Sequence, residues 1–171
     1  RPFFGPAQAT LVGLGERCDV VHAAMVNAQA SNILDYDDTH LATVIHPSVP
    51  VASAVFPLAE RLQASGADLL HAFILGVEVE CRIGNAICPW HYEHGWQVTA
   101  SAGVFGAAAA AGRLLGLDEQ RMTWALSMAA TQSSGLVEML GSMSKSYNMA
   151  HAARSGLGRS EEHTSELQSQ S

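Results

Sequence analysis

The chain has 171 residues, of which 48% are hydrophobic and 15% charged, and its formal net charge is -7. Such a composition excludes a disordered chain and suits one globular domain with a buried core. The acidic balance argues against nucleic acid or an anionic membrane surface as partner, because either selects a basic face.

Lys145 is the one Lys among nine basic residues, so a role that needs an ammonium has one candidate. Cys18, Cys81 and Cys88 make no Cys-x-x-Cys pair and no even framework, which reads as reduced thiols in a cytoplasmic protein. No basic, apolar leader opens the chain and no Met begins it, so the reading is a piece of a longer protein.

Helices follow one another along the chain. Residues 19–33 start with Asp19 as a cap and place Val20, Ala24 and Ala28 on one face. A polar stretch, "ILDYDDTHLATVIHPS" (33–48), then interrupts the pattern. Residues 47–64 form the next helix, with Pro50 in its first turn and Pro57 where it should kink or split. Over 67–87 the periodicity predicts a buried stripe of Leu70, Phe73, Ile74, Val77 and Cys81. Asp68, His71, Glu78, Arg82 and Asn85 fall on the opposite side.

A loop rich in rings, "CPWHYEHGW", leads into a small-residue helix over 98–115. From Gly95 to Gly112, a span of 18, no residue is charged. Its Ala and Gly density predicts tight helix packing in a core rather than a membrane crossing. "GLD" at 116–118 stops that helix and caps the next, 119–132, with Met122, Ala125, Leu126 and Ala129 aligned. Lys145 falls in a Gly-, Ser- and Met-rich loop. No alternating run or Asn-Gly turn signals a sheet. The fold class is therefore all-α, a multihelical bundle.

The last thirteen residues, "RSEEHTSELQSQS", have no apolar periodicity and resemble the in-frame translation of a sequencing adapter. The expected organisation is one partial helical domain over 1–158 and a non-native, disordered tail over 159–171.

Three chemistries fit the polar stretch. Asp35, Asp37 and Thr39 match an Asp-x-Asp-x-Thr phosphoryl-transfer loop, but that loop needs a buried strand before it, and helix precedes it here. Cys88, His91 and His94, or Asp37, Asp38, His40 and His46, offer metal donors, without a second ligand pair at standard zinc spacing. The third is lyase chemistry on a polycarboxylic acid, which needs a base, an acid, and cations or N–H donors to hold carboxylates. Asp35, His46 and His40 supply the first two, Thr39 a hydroxyl and Lys145 the ammonium. The helix that starts after His46 adds N–H groups. The residues alone leave these uses open.

Five blocks together are more specific. "LDYDDTH…HPS", "LGVEVECRIG", "GVFGAAAAAGRLLGLD", "ALSMAATQSSGL" and "GSMSKSYNMAHAARSGL" run in order from about residue 9 to 157. In that order and spacing they resemble the MmgE/PrpD family, which includes 2-methylcitrate dehydratase and cis-aconitate decarboxylase. The resemblance implies part of a large helical domain, a homodimer, and neither metal nor cofactor. It implies a lyase acting on a small di- or tricarboxylic acid, with 2-methylcitrate-like dehydration as the main expectation. Decarboxylation, epimerisation or a non-catalytic dimerisation module are the alternatives. Carried over by position, Asp35, His46, Lys145 and His40 are the expected catalytic groups and Thr39, Gln97 and Asn148 the substrate-binding ones. Gln97 and Asn148 stand where many relatives have His. An amide cannot transfer protons, though it can hold a carboxylate. Trp90 and Trp96 are expected to be packing groups or pocket walls, and Asp37 to be solvated or structural.

Overall fold

The computed structural model describes residues 5–165. Among them are a small hairpin, β1 (Ala9–Leu11) and β2 (Glu16–Cys18), and seven helices. These are α1 (Val20–Asn32), α2 (Ser48–Leu62), α3 (Gly66–Ile87), α4 (Trp90–Glu93), α5 (Val98–Leu114), α6 (Glu119–Ala130) and α7 (Ser144–Ser165). None of these helices is long and apolar enough to cross a membrane.

The bundle is built around α5. Fourteen of its 17 residues are buried, which is what a helix apolar or small on every side requires. Helices α2, α3, α6 and α7 pack on it, while α1 packs on α2 and α7. Small residues set the distances. A Cβ on Gly76 of α3 would stand 2.7 Å from both the Gly106 carbonyl oxygen and Val51 Cγ1, so glycine there lets α3 lie against the α5 backbone.

That closeness corrects the stripe expected on α3. The buried line is Ala72, Gly76, Glu80 and Gly84, with Phe73, Val77 and Cys81 beside it half-buried. Leu70 and Ile74 are each 55% exposed. A hydrophobicity pattern favours large side chains, whereas close helix approach favours the small ones four residues apart.

Other starts and stops follow local chemistry. Asp19 caps α1, accepting from the Val21 and His22 N–H groups at 3.1 and 3.0 Å, and Asp118 caps α6 through Arg121 N–H at 2.9 Å. Gly116, at φ +69°, ends α5's connection as expected. Pro57 neither splits nor ends α2, which runs through it with the ring buried. The hairpin was not legible, since each strand is only three residues long. It is held from outside: Thr10 N–H and hydroxyl both donate to Glu60 of α2, and the Arg17 guanidinium closes on the same carboxylate.

The C-terminal boundary also moves. Residues 159–165, expected in a disordered tail, continue α7, because extending a formed helix costs far less than starting one. Ser160 is fully buried and its hydroxyl donates to the Ala108 carbonyl at 2.8 Å. Residues 166–171 lie outside the described residues.

Candidate active site

After α1 ends at Asn32, the chain reverses through Asp35, whose φ of +59° lies in the left-handed region that Asp tolerates better than most residues. The next loop closes as a bridge between His40 and Ile45, with Val44 N–H bonded to the His40 carbonyl at 2.8 Å. Val44 itself sits at φ +56°. A β-branched side chain there is strained, of order 1–3 kcal/mol, and it delivers His46 to the start of α2.

His46 is held on several sides. Its backbone N–H donates to Thr99 Oγ1 at 3.2 Å, and its Nδ1 lies 3.0 Å from the Asp38 carbonyl. A carbonyl only accepts, so Nδ1 carries a proton, and Nε2 is the ring nitrogen left to exchange one. Asp38 also takes the Ser48 N–H at 3.1 Å, serving the first turn of α2.

Lys145 donates to Asp35 Oδ1, from 110 residues away. Its side chain is 17% exposed and that of Asp35 60%. The ammonium's hydrogen bond, then its charge and that of His46, hold the Asp35 carboxyl below its ordinary value against a smaller opposing effect of burial. Lys145 had been expected in a loop. It sits instead in the first turn of α7, which fixes its direction better than a loop does.

Gln97 stands at the start of α5 and Asn148 one turn into α7. Asn148 Nδ2 donates to Gln97 Oε1 at 2.9 Å, and both side chains are buried. Gly135 makes room for the pair. At φ +106°, a Cβ on it would reach 2.6 Å from the Ala100 Cβ and 3.5 Å from Gln97 Oε1.

These elements enclose a cleft of about 620 Å³ lined by Asp35, His46, Gln97 and Lys145, with Val44, Tyr92, Thr99, Met143 and Ser146 among its other walls. Among the described residues, Lys145 is the only Lys or Arg in the lining. The first turns of α5 (Val98, Thr99) and α7 (Lys145, Ser146) line the cleft, and His46 lies two residues before α2. The first turns of two helices, α5 and α7, therefore contribute to one lining, a favourable setting for anions.

The other expected site residues fall nearby or outside. Thr39 is exposed beside His46, its Oγ1 3.4 Å from Nδ1. Asn148 backs Gln97 rather than lining the cleft. His40 does not reach the lining: its ring is tied to Thr43 Oγ1 at 2.8 Å, because the tight bridge to Ile45 turns it into its own loop. Trp90 and Trp96 stack on His94 and His91 and are not in the lining. Sequence reasoning missed Tyr92, Thr99 and Met143, for which no local pattern signals a wall. The Asp37 side chain is 6% exposed and accepts from Asn32 Nδ2 at 2.7 Å, with its other oxygen 3.6 Å from His46 Nδ1.

Asp35, Asp37 and His46 present donor atoms within 4.8 Å of one another, the one cluster of that kind among the described residues. The Lys145 ammonium already occupies Asp35, so a cation there would face a fixed positive charge. The Cys88, His91 and His94 candidates do not converge. Cys88 Sγ points to the Thr43 carbonyl and His94 Nδ1 to the Trp90 carbonyl.

The fold and site define an all-helical domain whose cleft is lined by one ammonium, a carboxylate and an imidazole. The MmgE/PrpD N-terminal domain matches residues 1–159, and the chain belongs to the MmgE/PrpD family. It is 36% identical to cis-aconitate decarboxylase of Aspergillus terreus over 162 residues, 91% of this chain and 33% of that protein. It is 33% identical to human cis-aconitate decarboxylase over 147 residues, 82% of this chain and 30% of that protein. The chain thus spans about a third of the length of these curated relatives.

Proposed function

We propose that this chain forms part of a carbon–carbon lyase that removes CO2 from a small unsaturated tricarboxylic acid of the cis-aconitate type. The observation that carries the reading is the cleft itself: one ammonium and the first turns of α5 and α7 around Asp35, His46 and the Gln97 amide. The names of the relatives favour decarboxylation over the dehydration expected from the sequence.

In such a reaction the bond to one carboxylate breaks, its electron pair stays on the organic fragment, and neutral CO2 departs. Charge must therefore be stabilised on a carboxylate that remains, and Lys145 suits that role. An ammonium pinned to the leaving group would oppose its loss of charge. The carbanionic fragment then needs a proton, which the His46 imidazole can carry. Gln97 and Thr39 donate hydrogen bonds to oxygen, Asn148 fixes the Gln97 amide, and Asp35 orients Lys145 until substrate takes its place.

Turnover tests the reading. The chain, and a version extended to the length of its relatives, is incubated with cis-aconitate, 2-methylcitrate and citrate and followed by proton NMR. Loss of CO2 from cis-aconitate, reduced about 10²–10³-fold or more by Lys145→Ala, is the expected result. A new alkene from a hydroxy acid with all carbons retained would replace decarboxylation by dehydration. No turnover by a folded extended protein would indicate a non-catalytic helical module.

A further inference from the structure

Behind the cleft, α3 carries a carboxyl group that the chemistry above does not use. Glu80 is 0% exposed, and neither of its oxygens has a hydrogen-bond partner. A charge in such a place would lack both water and any counter-charge, which costs far more than holding a proton.

The surroundings are built to accept the group. Gly103 and Gly106 of α5 are hollowed out beneath it: a Cβ on Gly106 would meet Glu80 Cβ and Oε2, each at 2.9 Å. A Cβ on Gly103 would meet the Pro50 ring at 2.7 Å and Glu80 Oε1 at 3.4 Å, so the first turn of α2 and the carboxyl share one notch. One helical turn further along α3, Gly84 lies under Thr43 and Ile45, the end of the strained loop that delivers His46.

We infer that Glu80 is a neutral carboxylic acid wedged into the α2–α3–α5 junction, and that it is a positioning residue for the first turn of α2 and hence for His46. Asp38 connects the two places, since its side chain takes the Ser48 N–H and its carbonyl takes the His46 Nδ1–H.

The charged groups around Glu80 all oppose its ionisation or lie far away. Helix α5 offers no titratable residue between Val98 and Gly112, and α2 carries its own only at the far end, in Glu60 and Arg61. Asp38 in the loop adds a negative charge that works with burial to push the carboxyl well above the ordinary glutamate range. On α3, Cys81 is neutral and Glu78 is exposed and paired with Arg82. A raised acid favours folding only while it keeps its proton. Stability is full below the ordinary glutamate range and falls as pH rises above it, by up to about tenfold in the unfolding constant per pH unit. Glu80→Gln keeps the shape and never ionises.

The test uses the 171-residue chain. Its glutamate carboxyl carbons are followed by 13C NMR and its unfolding by urea, with Glu80→Gln as the comparison. One carboxyl carbon should titrate far above the exposed glutamates and vanish in Glu80→Gln. As pH rises above the ordinary glutamate range, the wild-type unfolding constant should rise relative to the variant, by up to about tenfold per pH unit. The His46 ring nitrogens should show an inflection at the pH where that carboxyl ionises, absent in Glu80→Gln, which a merely structural role would not produce. Titration of every glutamate in the ordinary range overturns the inference, as does an equal pH dependence in both proteins. If Glu80→Gln does not fold, the wild-type titration decides alone. Only the step from a placed His46 to catalysis rests on the proposed function. A chain that passes these tests but turns over no acid would refute that reading and leave the role of Glu80 standing.

Discussion

Gly156→Ala places a methyl group where α7 crosses α5. The new Cβ would stand 2.5 Å from the Val104 carbonyl oxygen, 2.6 Å from the Ala107 Cβ and 2.8 Å from the Ala108 nitrogen. Two of these are backbone atoms of a buried helix and cannot rotate away. Restoring an ordinary contact of 3.4 Å moves α7 outward by about 0.9 Å, enough to forfeit a quarter to a half of the dispersion energy along the crossing. Overpacking of this kind costs about 1–3 kcal/mol, here at the upper end, against about 1 kcal/mol that Ala gains over Gly in a helix. The net loss is about 2 kcal/mol, roughly 30-fold in the folding constant. Gly158, two residues on in the same helix, has nothing within 4 Å of an added Cβ. Gly158→Ala should therefore stabilise by up to about 1 kcal/mol. Urea unfolding followed by circular dichroism compares the three proteins. If Gly156→Ala is as stable as Gly158→Ala, backbone contact does not set the α5–α7 distance. Because α7 carries Lys145 and Asn148, the same variant should also weaken ligand binding in the cleft.

Lys145→Ala should let the Asp35 carboxyl rise to its ordinary range, seen as an upward shift of its 13C titration; an unmoved titration would sink the ion pair. The wild-type pair adds stability above the usual Asp range and loses it as pH falls through the lowered value, an acid-side loss that Lys145→Ala should lack. Asp19→Ala removes the cap of α1 and should cost about 1 kcal/mol at neutral pH. Burial pushes the Asp19 carboxyl up, but the His22 and Gly5 N–H groups and the His22 ring outweigh it, so the net shift is downward. The difference from wild type should shrink in acid as Asp19 protonates, and a constant difference down to about pH 2 would refute capping by the carboxylate. Gln97→Leu leaves Asn148 Nδ2 buried without a partner, a loss of about 1–3 kcal/mol in urea unfolding. Adding Asn148→Leu should recover part of it, and strict additivity of the two changes would argue against the amide pair.

The site was legible in pieces. Lys145 stood out because it is alone, and "LDYDDTH…HPS" because its acids, hydroxyl and imidazoles are concentrated in an otherwise weakly charged chain. Their separation into roles was not legible. His40 and His46 look equivalent as letters, but the bridge between His40 and Ile45 closes one into its loop and leaves the other on the cleft. Gln97 and Asn148 were suspected only through family resemblance, and nothing in the sequence predicts a hydrogen bond between positions 51 apart.

The sequence by itself determined several of the helix starts and stops, because caps, helix-ending glycines and apolar spacing act within a few residues. Asp19, Asp118 and Gly116 are examples, and the small-residue run of α5 marked the centre of the bundle. Tertiary structure alone decided which face of α3 is buried, that Glu80 lies inside it, and that Lys145 meets Asp35 across 110 residues. Periodicity specifies that a face exists but carries no information about its partner. The partner is chosen by how closely two backbones can approach, and that depends on glycines and alanines on helices far apart in the chain.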